Sequence, residues 1–132
     1  MDLTQDFADS SFVITGYQAD HVLVNNEPHF KSLIVSPERL ITDWDVTSIR
    51  RLNKDCFSAL DDLQLEIILV GSSEQGYFLD GELIAWFAQK KIGLEHMSMA
   101  AACRTYRILV SEGRRAAAAL IFLDKGNQSL GK

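Results

Sequence analysis

The chain has 132 residues, which predicts one domain on the usual scale of roughly 100–200 residues each. Hydrophobic residues make up 47% and aromatic residues 9%, the range of an ordinary globular protein that needs no disulfide or metal staple. The net charge of −5 argues against general binding to nucleic acid or anionic membranes, which requires surplus Lys and Arg, and no apolar run reaches the roughly 20 residues that span a bilayer.

Met1 to Ser11 contains three aspartates (Asp2, Asp6, Asp9) and no Lys or Arg, so it reads as a flexible N-terminal arm over residues 1–11. It lacks the basic start and apolar centre of a secretory signal and the Arg-rich character of a mitochondrial presequence, and a cytoplasmic location is expected. Phe12 to Gly16 has the alternation of a strand, with a turn at Tyr17–Asp20 and a second strand over His21–Val24. Asn25-Asn26 follows, and asparagine tolerates the positive φ that a tight hairpin needs. Phe30–Val35 is predicted as a third strand stopped by Ser36-Pro37, and Leu40–Trp44 as a short fourth. Such short links favour an antiparallel meander.

The second half alternates helix and strand. Asn53 is a candidate helix N-cap, with Asp55 in the first turn and Phe57, Leu60 and Leu63 at helical spacing. Leu65–Val70 is apolar and β-branched, as expected for a strand covered on both faces. Asp80 is positioned to cap a helix over residues 81–90, with Leu83, Trp86, Phe87 and Lys90 setting its period. Ile92–Met97 is the next strand, Ser98 caps a long helix reaching Glu112, and Arg115–Phe122 is the last strand. This βαβαβ pattern predicts a sheet with those three strands at its centre and right-handed crossovers. Residues 12–123 thus form a single α/β domain, antiparallel in its first half, and residues 124–132 read as a polar tail.

The segments Ile14-Thr15-Gly16, Leu33-Ile34-Val35 followed by Trp44, and Leu69-Val70-Gly71 resemble one uncharacterised bacterial and archaeal domain family. So, above all, does Ala100-Ala101-Ala102-Cys103-Arg104-Thr105-Tyr106 with Glu112-Gly113-Arg114-Arg115. The mitochondrial relative of that family is respiratory complex I assembly factor three. The resemblance covers residues 12 to 123 and implies a three-layer β+α/β/α fold around a mixed central sheet. It implies no established enzymatic activity. In the mitochondrial relative the role is to assist assembly of a membrane-bound oxidoreductase through protein contacts, which implies protein partners here, including components of a respiratory complex. Two positions depart from the family pattern: Gly-Thr-Gly is common where this chain has Gly71-Ser72-Ser73, and Asn where it has Arg107.

Candidate chemistry is sparse. Gly71-Ser72-Ser73-Glu74-Gln75-Gly76 follows a buried strand, where glycine-rich loops cradle phosphate, but Gly76 is followed by Tyr77 and Phe78 rather than the Lys and Ser or Thr of a Walker A loop. Glu74 also disfavours an anion, and the plain reading is a surface turn. A small polar ligand at the strand's carboxyl end is the other reading, because α/β sheets bind ligands there. Cys103 shares a helix face with Met99, Tyr106 and Val110, a core stripe, and the Arg104 side chain points about 100° away; a buried structural thiol is expected. Arg104, Arg107 and Ser111 align at i, i+3 and i+7, with Arg114 and Arg115 beyond the helix. They form either a solvated face with local ion pairs to Glu112 or Glu95, or a patch for an acidic partner or small anion.

His21, His29 and His96 have no metal spacing and read as surface or strand-edge residues. Cys56 and Cys103 form neither a disulfide framework nor a zinc CxxC, and no metal or cofactor is expected. Asp43-Trp44-Asp45 pairs two carboxylates, but acid/base chemistry needs a shared cleft. Trp44 reads as a core or edge anchor, or, if exposed, as a binding hot spot.

No complete catalytic set emerges. The favoured function is a non-catalytic binding or assembly-factor-like module acting through protein contacts at Arg104, Arg107 and Trp44. The alternative is a small-molecule or anion-binding enzyme or sensor that uses the Gly71–Ser73 loop and Arg104. A closed pocket converging on Gly71, Ser72 and Arg104 favours the second reading, and a flat apolar patch rimmed by Arg the first.

Overall fold

The structure is a computed structural model that describes the backbone of residues 3–6 together with residues 11–74 and 76–123. The polar tail expected over residues 124–132 and residues 7–10 of the expected arm lie outside the described residues. Within that arm, Leu3–Asp6 pair antiparallel with Arg39–Thr42 as an edge strand, β1.

The antiparallel first half divides between two sheets. Strands β2 (Ile14–Gln18), β3 (His21–Val24) and β4 (Glu27–His29) form a three-stranded meander. Its second turn is the expected Asn pair, with φ of 49° at Asn25 and 70° at Asn26, and Asn25 Oδ1 accepts the Val13 N–H at 2.8 Å. The strand predicted over Phe30–Val35 is broken. Phe30 leaves the small sheet and tilts over the His21 ring at 4.7 Å, and only β5 (Leu33–Val35) enters the larger sheet. Between them the Ser32 hydroxyl accepts the Phe122 N–H at 2.9 Å, fixing the chain as it crosses from one sheet to the other. Strand β6 (Arg39–Thr42) ends two residues before the predicted limit because Asp43 adopts a φ of 54°, which turns Trp44 inward.

The stretch after Asn53 is a 3-10 helix over Lys54–Leu60, preceded by a shorter one at Ile49–Arg51. Asn53 caps it as expected, its Oδ1 accepting the Asp55 N–H at 2.9 Å. Phe57, Leu60 and Leu63 are spaced by threes, and that is the period of a 3-10 helix, in which residues i and i+3 eclipse.

The larger sheet has the order β1-β6-β5-β9-β7-β8, where β7 is Ile67–Ser72, β8 Gly93–Met97 and β9 Ala116–Ile121. β7 runs parallel to both β8 and β9, whereas β5 pairs antiparallel with β9, so the sheet is mixed. Helix α1 (Gly81–Gln89) links β7 to β8, and α2 (Met99–Ser111) links β8 to β9; the Asp80 and Ser98 side chains cap them by accepting the N–H groups of Glu82 and Ala101. β8 is not central as predicted. The chain steps outward from β7 to β8 and then crosses back over β7 to lay down β9, which strands β8 at the edge with Gly93 and Glu95 exposed.

β9 is buried at every position, and its alternation serves two cores. Ala116, Ala118 and Leu120 face α2 and the small sheet, packing with Ile14, Val22, Cys103 and Tyr106. Ala117, Ala119 and Ile121 face α1, the 3-10 segments and Trp44, packing with Phe57, Leu83 and Phe87. The layers are therefore small sheet plus α2, central sheet, and α1 with the 3-10 turns: the β+α/β/α arrangement. No helix among the described residues is long and apolar enough to cross a membrane.

Candidate functional site

The loop after β7 is committed to structure. A Cβ added to Gly71 would lie 2.7 Å from the Ala102 Cβ and 2.9 Å from the Leu120 Cδ2, so the missing side chain lets α2 settle against β7. Gly71 is thus a packing glycine and does not face a ligand. Ser72 is buried, and its hydroxyl accepts the Glu74 N–H at 2.9 Å. The Glu74 carboxylate accepts the Ser48 hydroxyl at 2.8 Å and the Ile49 N–H at 2.6 Å, capping the first 3-10 segment. Ser73 is exposed.

An open crevice of about 550 Å³ lies beside this loop, and its lining includes Ser72, Ser73, Glu74, Tyr77, His96 and Met99. Its position follows from topology. β7 and β8 are adjacent parallel strands whose following helices pack on opposite faces of the sheet. That divergence opens a crevice at their carboxyl ends, where open α/β sheets bind ligands. The His96 Nε2 is enclosed and has no hydrogen-bond partner among the described residues. Burial lowers the His96 pKa from the ordinary imidazole value, against an opposing pull from Glu74, so the ring is neutral at pH 7. Sequence reading treats His96 as a bland strand-edge residue. β8 is indeed an edge strand, but the pairing of β7 with β8 brings the ends of the two loops together, and no local motif encodes that pairing. Gly71 and Arg104 do not line this crevice, so it is not the pocket on Gly71, Ser72 and Arg104 that would favour the ligand reading; of the residues named for that reading, Ser72 and Ser73 line it.

Arg104 and Arg107 are both exposed on the outer side of α2. Among the described residues neither makes an ion pair, and the expected local pairs with Glu112 or Glu95 are not formed; the ion pairs that do form include Arg39 with Asp62 at 2.6 Å, Arg114 with Glu66 at 2.6 Å and Arg115 with Glu38 at 3.7 Å. Ile108, 54% exposed, lies among Arg104, Arg107 and Ser111 on the same turns.

Trp44 does not join that face. It is 5% exposed, its indole N–H donates to the Cys56 carbonyl at 2.8 Å, and its ring tilts against Phe57 at 5.6 Å. It is a core anchor with its one polar atom satisfied, and its expected role as an exposed contact is withdrawn. Asp43 and Asp45 flank it on the surface, where Asp43 comes within 4.0 Å of Lys31. Cys103 is buried, and burial pushes its thiol up to about 11 against a small opposing effect of Arg107. That is the opposite of the activation a nucleophilic thiol requires.

Comparison with known proteins places this geometry. A Xanthomonas campestris protein solved by NMR superimposes with a TM-score of 0.76 at 35% identity, covering 89% of each chain. A Bordetella parapertussis crystal structure gives 0.79 at 28% identity, covering 86% of this chain and 98% of the other. A Bordetella pertussis protein described as a Mth938-like domain shares the fold at 0.71 and 23% identity, covering 92% of each chain. Among curated proteins, NADH dehydrogenase [ubiquinone] 1 alpha subcomplex assembly factor 3 is 31% identical over 121 residues in Xenopus tropicalis and 27% over 121 residues in Homo sapiens. Each alignment covers 90% of this chain, which spans 65% of either relative's length. Residues 14–121 match the family's sequence profile, and the chain belongs to the family described as "Protein of unknown function (DUF498/DUF598)".

Proposed function

We propose that this protein is a non-catalytic, assembly-factor-like module that acts in the cytoplasm through protein contacts, with the Arg104/Arg107 face of α2 as its recognition surface. The observation that carries the reading is the contrast among arginines. Arg39, Arg114 and Arg115 are held by carboxylates; Arg50, Arg51, Arg104 and Arg107 stand exposed without an ion pair among the described residues, and of these four Arg104 and Arg107 share one face of an α-helix. The relatives named for assembly of a respiratory NADH dehydrogenase support it, and components of such a complex are the partner class proposed here. A planar guanidinium pairs with a carboxylate in two-point geometry, and steering by two of them raises association rate more than final affinity.

The test is charge reversal. Arg104→Glu/Arg107→Glu, used as bait in extracts of the native host, is expected to lose the partners that the wild-type chain recovers, and added salt is expected to weaken wild-type capture. Recovery of the same partners at the same salt makes the arginine face a solvated surface and removes the proposal.

A second reading, a small-molecule sensor or enzyme, is supported by the crevice between β7 and β8, without Gly71 or Arg104.

A further inference from the structure

Arg50 and Arg51 occupy the last turn of the 3-10 segment Ile49–Arg51, whose Ile49 packs on the α1 side of the central sheet, opposite α2. Their backbone is pinned. The Ser48 hydroxyl accepts the Arg50 N–H at 3.2 Å, and the Ser48 carbonyl accepts the Arg51 N–H at 3.1 Å. The Glu74 carboxylate in turn holds the Ser48 hydroxyl and the Ile49 N–H. The Arg50 guanidinium then lies 4.9 Å over the Tyr77 ring. Stacking leaves the edge donors of a guanidinium free and removes part of its side-chain freedom before a partner arrives. Ser48, Arg50 and Arg51 line an open concavity of about 540 Å³. Phe78, the residue after that ring, is 93% exposed, more than any other large apolar side chain among the described residues. Arginine donors without a local carboxylate, beside unburied aromatic surface, have the composition of an interface centre.

The surrounding charges select the occupant. Lys54 and Lys90 lie over the Trp86 ring on the same layer, at 5.6 Å and 3.7 Å, and hold no ion pair among the described residues. The carboxylates of the layer are engaged or set apart. Glu74 is taken by Ser48 and Ile49, and Asp80 accepts the Glu82 N–H in a separate groove lined by Lys54, Asp80, Glu82 and Trp86. We propose that the surface formed by Arg50, Arg51, Tyr77 and Phe78 docks a short acidic segment of a partner protein, its carboxylates accepting from the two guanidinium groups and an adjacent apolar side chain covering Phe78. A nucleic-acid strand suits the surface less. Its run of phosphates outnumbers the two arginines and must share the layer with Asp55, Glu74, Asp80 and Glu82, in a chain of net charge −5. The surface goes beyond the arginine face of α2 and does not depend on it, because the two lie on opposite sides of the central sheet.

The probe is the capped peptide Glu-Glu-Leu-Glu-Glu, titrated into the native 15N-labelled chain and followed by amide shifts. Controls are Gln-Gln-Leu-Gln-Gln, Glu-Glu-Gly-Glu-Glu and a short oligothymidylate. The acidic leucine peptide is expected to produce saturable shifts at residues 48–51 and 77–79, with an affinity at least about tenfold above the glutamine peptide. Arg50→Glu/Arg51→Glu is expected to weaken it about tenfold while amides of the two cores keep their positions. Phe78→Ser is expected to bring the leucine peptide down to the affinity of the glycine peptide. Absence of saturable shifts at these residues overturns the proposal, as does equal binding of the glutamine peptide or full affinity in Arg50→Glu/Arg51→Glu. Tighter binding of the oligothymidylate assigns the surface to nucleic acid and overturns it too. A dimer of the free chain in sedimentation that Arg50→Glu/Arg51→Glu dissolves assigns it to a second copy, with the same consequence. Arg104→Glu/Arg107→Glu is expected to bind the peptide as the wild type does, so failure here and failure of the α2 reading are separately visible.

Discussion

Helix α2 has two sides that answer to different constraints. Met99, Ala102, Cys103 and Tyr106 are buried against β7, β9 and the small sheet. Arg104, Arg107 and Ile108 face outward, and the two arginines have no ion pair among the described residues. Both sides carry residues that look chemical in the sequence: a cysteine and a tyrosine inside, two arginines outside. Environment separates them. Inside, reactivity is suppressed and stability is at stake; outside, stability is indifferent and recognition is at stake. Substitutions on the two sides should therefore fail in different assays.

The largest effect is expected where the inner side meets the sheet. Gly71→Ala places a methyl 2.7 Å from the Ala102 Cβ and 2.9 Å from the Leu120 Cδ2, and neither neighbour is the flexible end of a long surface chain. Relief requires α2 to move off β7, an overpacking cost of about 1–3 kcal/mol. Urea unfolding is expected to show that loss with an unchanged denaturant slope, and an unaltered midpoint would mean that α2 is not seated as described.

Cys103 comes next. Cys103→Ser puts a hydroxyl in place of a buried thiol and is expected to cost about 1–3 kcal/mol, from the burial of a polar group without an assured partner. With its thiol pushed up to about 11, only about one part in ten thousand is thiolate at pH 7. A thiol reagent should therefore label Cys103 slowly in the native chain and quickly in urea. Rapid native labelling would falsify the structural assignment.

Tyr106→Phe probes the same side more gently. Burial raises the Tyr106 pKa, so the phenol stays protonated, and its O–H donates to the Phe12 carbonyl at 3.0 Å across 94 residues of sequence. That bond ties α2 to the entrance of the small sheet. Losing it is expected to cost about 0.5–1.5 kcal/mol, read by the same unfolding curve. Faster amide exchange over β2 and β3 should accompany the loss, with β8 unaffected.

The contrast between the sides of α2 was legible in the sequence, because helix period sorts Cys103 and Tyr106 from Arg104 and Arg107. The caps at Asn53, Asp80 and Ser98 and the hairpin at Asn25-Asn26 were legible for the same reason: each is a local rule with a side-chain mechanism. What sequence reading missed depends on pairing between distant segments. The break at residues 30–32 occurs because the chain changes sheets, and β8 lies at the edge because α2 carries the chain back over β7. Both are non-local. Trp44 was readable as a core anchor, but not the reversal at Asp43 that turns it inward, an unusual φ for a residue other than glycine. The crevice and His96 required the pairing of β7 with β8, and so did the recognition that Gly71 is a packing residue. The 3-10 helix at Lys54–Leu60 was readable, since a strict spacing of three at Phe57, Leu60 and Leu63 departs from the 3.6 period of an α-helix.

The smallest effect on stability is expected on the outer side. Arg104→Glu/Arg107→Glu replaces two exposed cations that hold no ion pair among the described residues, so no buried partner is orphaned and no packed volume changes. Surface substitutions of this kind fall within about 0.5 kcal/mol of the parent. Two opposing terms act on the pair. The helix dipole favours carboxylates near the N-terminus and cations near the C-terminus, but both positions lie mid-helix, where that effect has decayed. The chain already carries a net charge of −5, and the reversal takes it to −9, since each Arg to Glu exchange changes the charge by −2. The added repulsion is spread over the surface and screened beyond about 8 Å at physiological salt. The expected outcome is an unfolding midpoint close to wild type with partner capture lost. A large drop in stability would assign the arginines to the fold and abolish the distinction between the two sides of α2.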